Sequence, residues 1–397
     1  MKKIGLMISS LNSGGAERVV SHLTKILSEV YDVHLILFED TYLEYEYCGT
    51  LHSLNTPAKA GILSKVSLLF QRISRLKALI KEEKLECVIS FLDSPNIVNI
   101  LAKTKGCKHI VSVRNYSSIE NKSNFISKAS NALIKLLYRK ADCVVTVAKE
   151  IEKDYIDNYG IDPQKIKTIY NPYDFELISD MSKENFTQEE TDFFSQGFVF
   201  CNVGRIQHQK GVWHLVRCFA NISRSIPDAK LALIGEDYTD GKLCALIDQY
   251  GIKDKVLMTG RVKNPYKYLA HSNAYVLTSL FEGFPNAMVE AMACGLPIIA
   301  ANCSSGPKEI LCDVIPEEKL EASLDGDYGI LVPELEQEED WSTSELTCAE
   351  QILAKVMTDC YNDKSKLEKY SQKSYERSRI YSYDACKENF VSVIENN

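Results

Sequence analysis

Nowhere do the 397 residues hold an apolar run of the ~20 residues that a membrane-spanning helix needs, so the chain can touch a membrane but is not expected to cross one. The thirteen cysteines include no Cys-x-x-Cys pair and no neighbouring histidine at ligand spacing, and their number is odd. That speaks against a disulfide frame or a zinc ribbon and for a reducing cytosol, with no structural metal. The Gly-x-Gly-x-x-Gly fingerprint is missing, which argues against a nicotinamide dehydrogenase, and no Walker loop is present. Excess basic charge is lacking too: at a net charge of −8, general nucleic-acid binding is not expected. The opening Met-Lys-Lys with Ile4 to Ile8 imitates a signal peptide, but its apolar run is too short for one.

What the chain does hold is a repeated alternation. Short apolar strand patterns at Ile4–Ser9, Val33–Phe38, Cys87–Ser90, His109–Val113, Cys143–Val147 and Ile166–Ile169 are separated by helical stretches. A polar, acidic stretch follows, and the pattern restarts at Phe198–Val203, Lys230–Ile234, Lys255–Thr259, Ala274–Thr278, Ile298–Ala301 and Tyr328–Val332. A chain of this length exceeds one ordinary core. The alternation predicts an α/β fold of two doubly wound, Rossmann-like domains facing a central cleft. Their bounds are expected at 1–172 and 198–375, with a linker or domain edge at 173–197 and a C-terminal helix, 376–397, returning to the first domain. Ligands in such sheets bind beyond the carboxyl ends of the strands.

Three segments lie at such ends. Phe281 to Pro297 reads Phe-Glu-Gly-Phe-Pro-Asn-Ala-Met-Val-Glu-Ala-Met-Ala-Cys-Gly-Leu-Pro. Pro285 suits a helix start and Gly295 its stop. Glu290 is then a lone carboxylate in a helix otherwise small and apolar, where a charge needs partners. Asn286, one turn earlier, can reach the same ligand at the helix start; a core glutamate paired with a structural arginine is the other reading. In Val203-Gly-Arg-Ile-Gln-His-Gln-Lys-Gly211, Arg205 and Lys210 sit where two cations and helix N–H groups can hold a diphosphate, or are simply solvated surface cations. Gly14–Gly15 allow a ligand close to the backbone, or make a tight turn.

Together these residues resemble the retaining glycosyltransferases of family 4, which have the GT-B fold. The signature is Glu282-Gly-Phe-Pro-Asn-Ala-Met-Val-Glu290, supported by Gly14-Gly15-Ala-Glu-Arg18, Gly204-Arg205 with Lys210-Gly211, and Gly260-Arg261-Val262. The resemblance implies that Glu290 holds the ribose of a nucleoside diphosphate sugar. Glu282 and the backbone of Gly283, Phe284, Pro285 and Asn286 would face the donor sugar. Arg205 and Lys210 would clamp the diphosphate, helped by Gly14 and Gly15, and Val262 would offer its backbone to the base. Two departures stand out. Where many relatives carry a histidine, this chain reads Val113-Arg114-Asn115-Tyr116, which puts Arg114 and Asn115 on the acceptor or sugar side. A Gly-Gly pair near the donor reads Ser305-Gly306, as in the subgroup acting on lipid-linked or surface polysaccharide intermediates.

The implied reaction is transfer of a hexosyl or N-acetylhexosaminyl group, with retention, from a UDP-sugar to a polyprenyl-diphosphate-linked saccharide in surface polysaccharide or glycan assembly. Glu282, Arg205 and Lys210 are the catalytic candidates. No cofactor is expected beyond the nucleotide sugar as substrate, and no metal. A GT-B sugar-nucleotide epimerase and a non-catalytic sugar-nucleotide-binding protein are the alternatives. A further partner is an anionic membrane surface, met by the basic residues Lys65, Arg72 and Arg75 of one amphipathic helix and Lys128, Lys135 and Arg139 of another, unless both are ordinary surface helices. The expected location is cytoplasmic, peripheral at the inner face of the cell membrane.

Overall fold

Each apolar run that the sequence offers as a strand is flanked by helices able to cover both of its faces, and the computed structural model builds two parallel sheets from them. It describes residues 1–12, 14–58, 61–114, 134–316 and 318–396. The chain divides into two compact units, Met1–Tyr173 with Tyr381–Asn397, and Asp174–Ile380.

The first unit holds a seven-stranded sheet ordered β3-β2-β1-β4-β5-β6-β7. Its strands are β1 (Lys3–Ile8), β2 (Asp32–Leu37), β3 (Thr50–Ser53), β4 (Cys87–Phe91), β5 (Lys108–Val113), β6 (Cys143–Thr146) and β7 (Ile166–Thr168). One face packs on the helix Gly15–Leu27 and on the C-terminal helix Tyr383–Glu395, which contributes Cys386, Phe390, Val393 and Ile394 to the core. On the other, Met7, Ile36, Phe38 and Val88 meet Leu76 and Ile80 of the helix Ile62–Glu83 and Val98 of the helix Asp93–Leu101. Burial on both faces is why these strands read as continuous apolar runs.

The second unit repeats the plan with the order β10-β9-β8-β11-β12-β14-β13. Here the strands are β8 (Phe198–Val203), β9 (Ala229–Ile234), β10 (Val256–Gly260), β11 (Ala274–Leu277), β12 (Ile298–Ala301), β13 (Leu324–Asp325) and β14 (Ile330–Val332). Every pairing is parallel except β13 with β14. Strand order reverses between β8 and β11, which leaves a crevice at their carboxyl ends.

The stretch at 173–197, expected as a linker or domain edge, opens on the boundary between the units at Tyr173 and Asp174 but is otherwise folded. It forms the helices Phe175–Met181 and Gln188–Phe194 within the second unit. Both have seven residues, too short for an apolar period to show. Side chains hold them instead: Asp174 caps the first, Thr187 and Glu190 form a capping box on the second, and Asn264 donates to the Met181 carbonyl at 2.7 Å. The return to the first unit begins at Tyr381 rather than at 376, because the helix Lys364–Ser378 stays with the second.

Candidate functional site

In the second unit the loops leaving β8 and β11 are stitched together at the switch point. The Leu280 N–H donates to the Gln209 carbonyl (2.8 Å), Gln209 Nε2 to the Phe281 carbonyl (3.0 Å) and Thr278 Oγ1 to the Lys210 carbonyl (3.0 Å). The fit requires glycine at 211: its φ is +56°, and a Cβ there would lie 2.4 Å from the Thr278 carbonyl oxygen.

This stitching sets Lys210 against Glu282. Lys210 Nζ donates to Glu282 Oε1 at 2.6 Å, and Ser279 Oγ donates to the same oxygen at 2.6 Å. Glu282 is buried, with 5 % of its surface exposed, where a carboxylate needs such partners. Ser279 is the residue that sequence reading missed. Nothing distinguishes it from an ordinary strand-exit serine until the loop is folded. Arg205, by contrast, is exposed, and neither it nor Arg261 is far from the Tyr238 phenol, which both guanidiniums influence. Tyr238 donates to Glu236 at 2.7 Å, and that bond raises its pKa against the two cations.

The helix Asn286–Ala293 starts directly beyond Glu282, with Pro285 at its cap position rather than inside its first turn, and stops at Gly295, where φ is +76°. Glu290 is buried to 3 % exposure, while Asn286 stays half-buried at the open end. Gly283 is half-buried, and Phe284 and Pro285 are buried. The loop after β12 packs on this helix start. Ser305 Oγ donates to the Gly283 carbonyl at 2.9 Å, and a Cβ on Gly306 would meet Pro285 Cδ at 2.5 Å. Ser305 itself has φ +68°, the left-handed region that a serine enters only at a cost. The Ser-Gly departure noted in the sequence therefore falls on a strained position. Val262 is half-buried, just beyond the end of β10 at Gly260.

Lys210, the buried Glu282 and, just beyond it, the start of an eight-residue helix thus lie together where the loops leave β8 and β11, an arrangement able to hold a phosphate ester and a polar ring together. Gly14 and Gly15 belong to the first unit, where Gly14 caps the helix Gly15–Leu27 with extended backbone after β1. Arg114 follows β5 there. It turns inward, donating to Asn171 Oδ1 and lying 5.1 Å over the Phe91 ring, and burial lowers its pKa to about 10. Asn115 and Lys128 lie outside the described residues.

The basic helices differ from expectation in detail. Arg72 donates to Thr56 Oγ1 (3.1 Å) and to its carbonyl (2.8 Å), Arg75 to the Leu54 and Asn55 carbonyls, and Arg139 to the Tyr159 carbonyl (2.9 Å). These three arginines tie down the chain's own loops, Arg72 half-buried and Arg75 and Arg139 still exposed. Lys65 and Lys135 are exposed, beside Val66, Phe70 and Leu136, which are exposed as well. Among the described residues no helix is long and apolar enough to cross a membrane.

Residues 13–177 match the profile "Glycosyltransferase Family 4" and residues 183–316 the profile "Glycosyl transferases group 1". An uncharacterized glycosyltransferase of Methanocaldococcus jannaschii is 30% identical over 384 residues, covering 94% of each chain. The N-acetylgalactosamine-N,N'-diacetylbacillosaminyl-diphospho-undecaprenol 4-alpha-N-acetylgalactosaminyltransferase of Campylobacter jejuni is 33% identical, over 79% of this chain and 84% of its own. The Anabaena protein HepE, solved in complex with UDP-glucose, superposes with a TM-score of 0.76 at 18% identity, over 99% of both chains. Profiles, relatives and the doubly wound architecture agree, and the chain belongs to the family 4 glycosyltransferases of GT-B fold.

Proposed function

We propose that this glycosyltransferase moves a hexosyl or N-acetylhexosaminyl unit from a UDP-sugar to a polyprenyl-diphosphate-linked saccharide, with retention at the anomeric carbon and without a metal ion. The observation that carries the reading is the buried Glu282 carboxylate bound by Lys210 and Ser279 at the mouth of the crevice. Lys210 has three N–H donors, and only some are committed to Glu282, so it can also meet a donor phosphate. As the sugar–phosphate bond breaks, the ring gains oxocarbenium character and the leaving oxygens gain negative charge. Lys210, Arg205 and the N–H groups opening the helix at Asn286 are fixed cations and dipoles that oppose that charge. Glu282 stabilises the sugar side, Glu290 and Asn286 hold donor hydroxyls, and Val262 offers its backbone to the base. The acceptor hydroxyl loses its proton to the departing phosphate.

The acceptor class is supported by the Campylobacter jejuni relative, whose name specifies an undecaprenyl-diphosphate-linked substrate, and the UDP donor by the HepE complex. An acceptor of this kind lies at a membrane. We place that contact on Lys65 with Val66 and Phe70, and on Lys135 with Leu136, and assign Gly14 and Gly15 to donor binding and Arg114 to the acceptor or sugar. The test is incubation with a panel of UDP-sugars and a synthetic polyprenyl-diphosphate saccharide, in EDTA, with the product linkage read by NMR. An α-linked product from an α-linked donor is expected. An inverted linkage, turnover only with added divalent ion, or sugar isomers formed without acceptor would each remove the corresponding part of the reading.

A further inference from the structure

At the β2–β3 edge of the first unit's sheet, three residues distant in sequence meet. His34 is on β2, His52 on the edge strand β3, and Glu83 is the last residue of the helix Ile62–Glu83. Strand alternation puts His34 on the face shared by Ile36 and Phe38, against that helix. One ligand atom from each of the three lies within 4.8 Å of the others. His34 Nδ1 and His52 Nε2 face each other at 2.8 Å. His34 is buried, at 2 % exposure, and its Nε2 makes no hydrogen bond, although Asp32 Oδ2 is 3.8 Å away.

That last arrangement suits a metal ligand better than a histidine that is only structural. A coordinating imidazole typically directs its other ring nitrogen, as N–H, at a carboxylate that fixes the tautomer. Here the nitrogen facing His52 is Nδ1, and the Asp32 carboxylate lies on the other side, at Nε2.

We propose that His34, His52 and Glu83 bind a divalent transition-metal ion, Zn²⁺ being the ion that two imidazoles and one carboxylate fit best, and that the ion ties edge strand β3 to the C-terminal end of the helix Ile62–Glu83. Such a site takes its ligands at about 2.0–2.2 Å and completes a tetrahedron with water. On binding, the proton between the two imidazoles moves off the facing nitrogens: His34 carries its own on Nε2, opposite Asp32, and His52 on Nδ1. A tetrahedral pair of nitrogens stands roughly 3.3 Å apart, so the histidines separate by about 0.5 Å. Lys3 is the competitor for this position, since its Nζ lies 3.4 Å from Glu83 and 3.9 Å from Asp32. The cation beside Glu83 is thus the Lys3 ammonium, which a bound metal ion would displace.

The proposal does not depend on the transfer reaction. It is tested on the full chain with accessible thiols alkylated, because Cys48, Cys244 and Cys348 are exposed and a free thiol is a zinc ligand. Equilibrium dialysis against Zn²⁺ is expected to give one tight equivalent in the wild type. His52→Ala removes it, and Asp32→Asn weakens it about 10- to 100-fold. Lys3→Met strengthens it, an outcome that a misfolded variant or an unrelated zinc site does not produce. Circular dichroism in EDTA confirms that the variants are folded. Failure of the wild type to take up an equivalent, or equal uptake by wild type and His52→Ala, overturns the proposal.

Discussion

Single residues in the crevice carry separable duties. In the proposed reaction Lys210 and Arg205 both oppose leaving-group charge, yet Lys210 is paired with a buried carboxylate and Arg205 is exposed. Both alanine variants are therefore expected to lower kcat more than they weaken donor binding. Only Lys210→Ala should also destabilise the ligand-free protein, by about 3 kcal/mol, because it strands the Glu282 charge. Urea unfolding of the two variants side by side distinguishes them, and equal stabilities would mean that Glu282 does not need Lys210. Ser305 makes a second contrast. Its left-handed backbone costs about 1–2 kcal/mol and its bond to the Gly283 carbonyl returns about 1 kcal/mol. Ser305→Gly relieves the strain and loses the bond, so stability should stay within about 1 kcal/mol of wild type. Ser305→Ala keeps the strain and loses the bond, and should unfold at distinctly lower urea. If alanine matches glycine, the backbone at 305 is not strained. Glu290 stands out in sequence because a charge in an apolar surround is rare, and Glu282 through the family signature; Ser279 and Tyr238 do not, because only the folded loops give them partners.

At the scale of elements, what was legible is what buries both faces. Long strands such as β1, β4 and β8 show as unbroken apolar runs, and their loops then locate the crevice. Unread were β3, an edge strand half in solvent, β13, of two residues, and the helices Phe175–Met181 and Gln188–Phe194, which caps and side chains hold. The helix Ile62–Glu83 was legible in type but not in facing. Its arginines at 72 and 75 bind the loop before it, while Phe70, 67 % exposed, and Val66, 47 % exposed, turn outward next to Lys65. Apolar tips beside a lysine suit the boundary of an anionic bilayer, where each base adds about 1 kcal/mol. Phe70→Ser with Lys65→Glu is expected to cut co-sedimentation with anionic vesicles several-fold while UDP-sugar affinity stays unchanged. Full sedimentation of the double variant would take this helix out of the membrane contact.

For the whole molecule, the sequence implied two Rossmann-like domains, and the order of strands in both sheets agrees with that. Stability of the first unit should depend on pH through His109, buried in its sheet. The Thr104 N–H donates to Nε2 (3.1 Å), so Nδ1 carries the proton and donates to Asn99 Oδ1 (2.8 Å). Burial lowers the His109 pKa to about 4 from a usual 6.5. Between those values the unfolded chain binds the extra proton, so this contribution is complete above pH 6.5 and is lost as pH falls toward 4, by roughly 3 kcal/mol. A urea midpoint that drops from pH 7 to pH 4.5 in wild type, and drops less in His109→Gln, is the expected result; parallel slopes would assign the acid sensitivity elsewhere. The C-terminal helix makes a larger claim on the same unit. Phe390, Val393 and Ile394 are all at most 6 % exposed in its core, Tyr31 donates to Glu395 at 2.8 Å, and Lys108 Nζ donates to the Val393 carbonyl at 2.8 Å. Three such side chains bury roughly 5–9 kcal/mol of apolar free energy, against about 5–15 kcal/mol for a typical domain. Removing residues 382–397 should therefore unfold the first unit, although the last strand of its sheet, β7, ends at Thr168. The second unit keeps its own core and should survive as a protease-resistant fragment near Asp174–Ile380. A truncated chain as resistant over its first 173 residues as the full one would show that the helix Gly15–Leu27 and the sheet suffice without it.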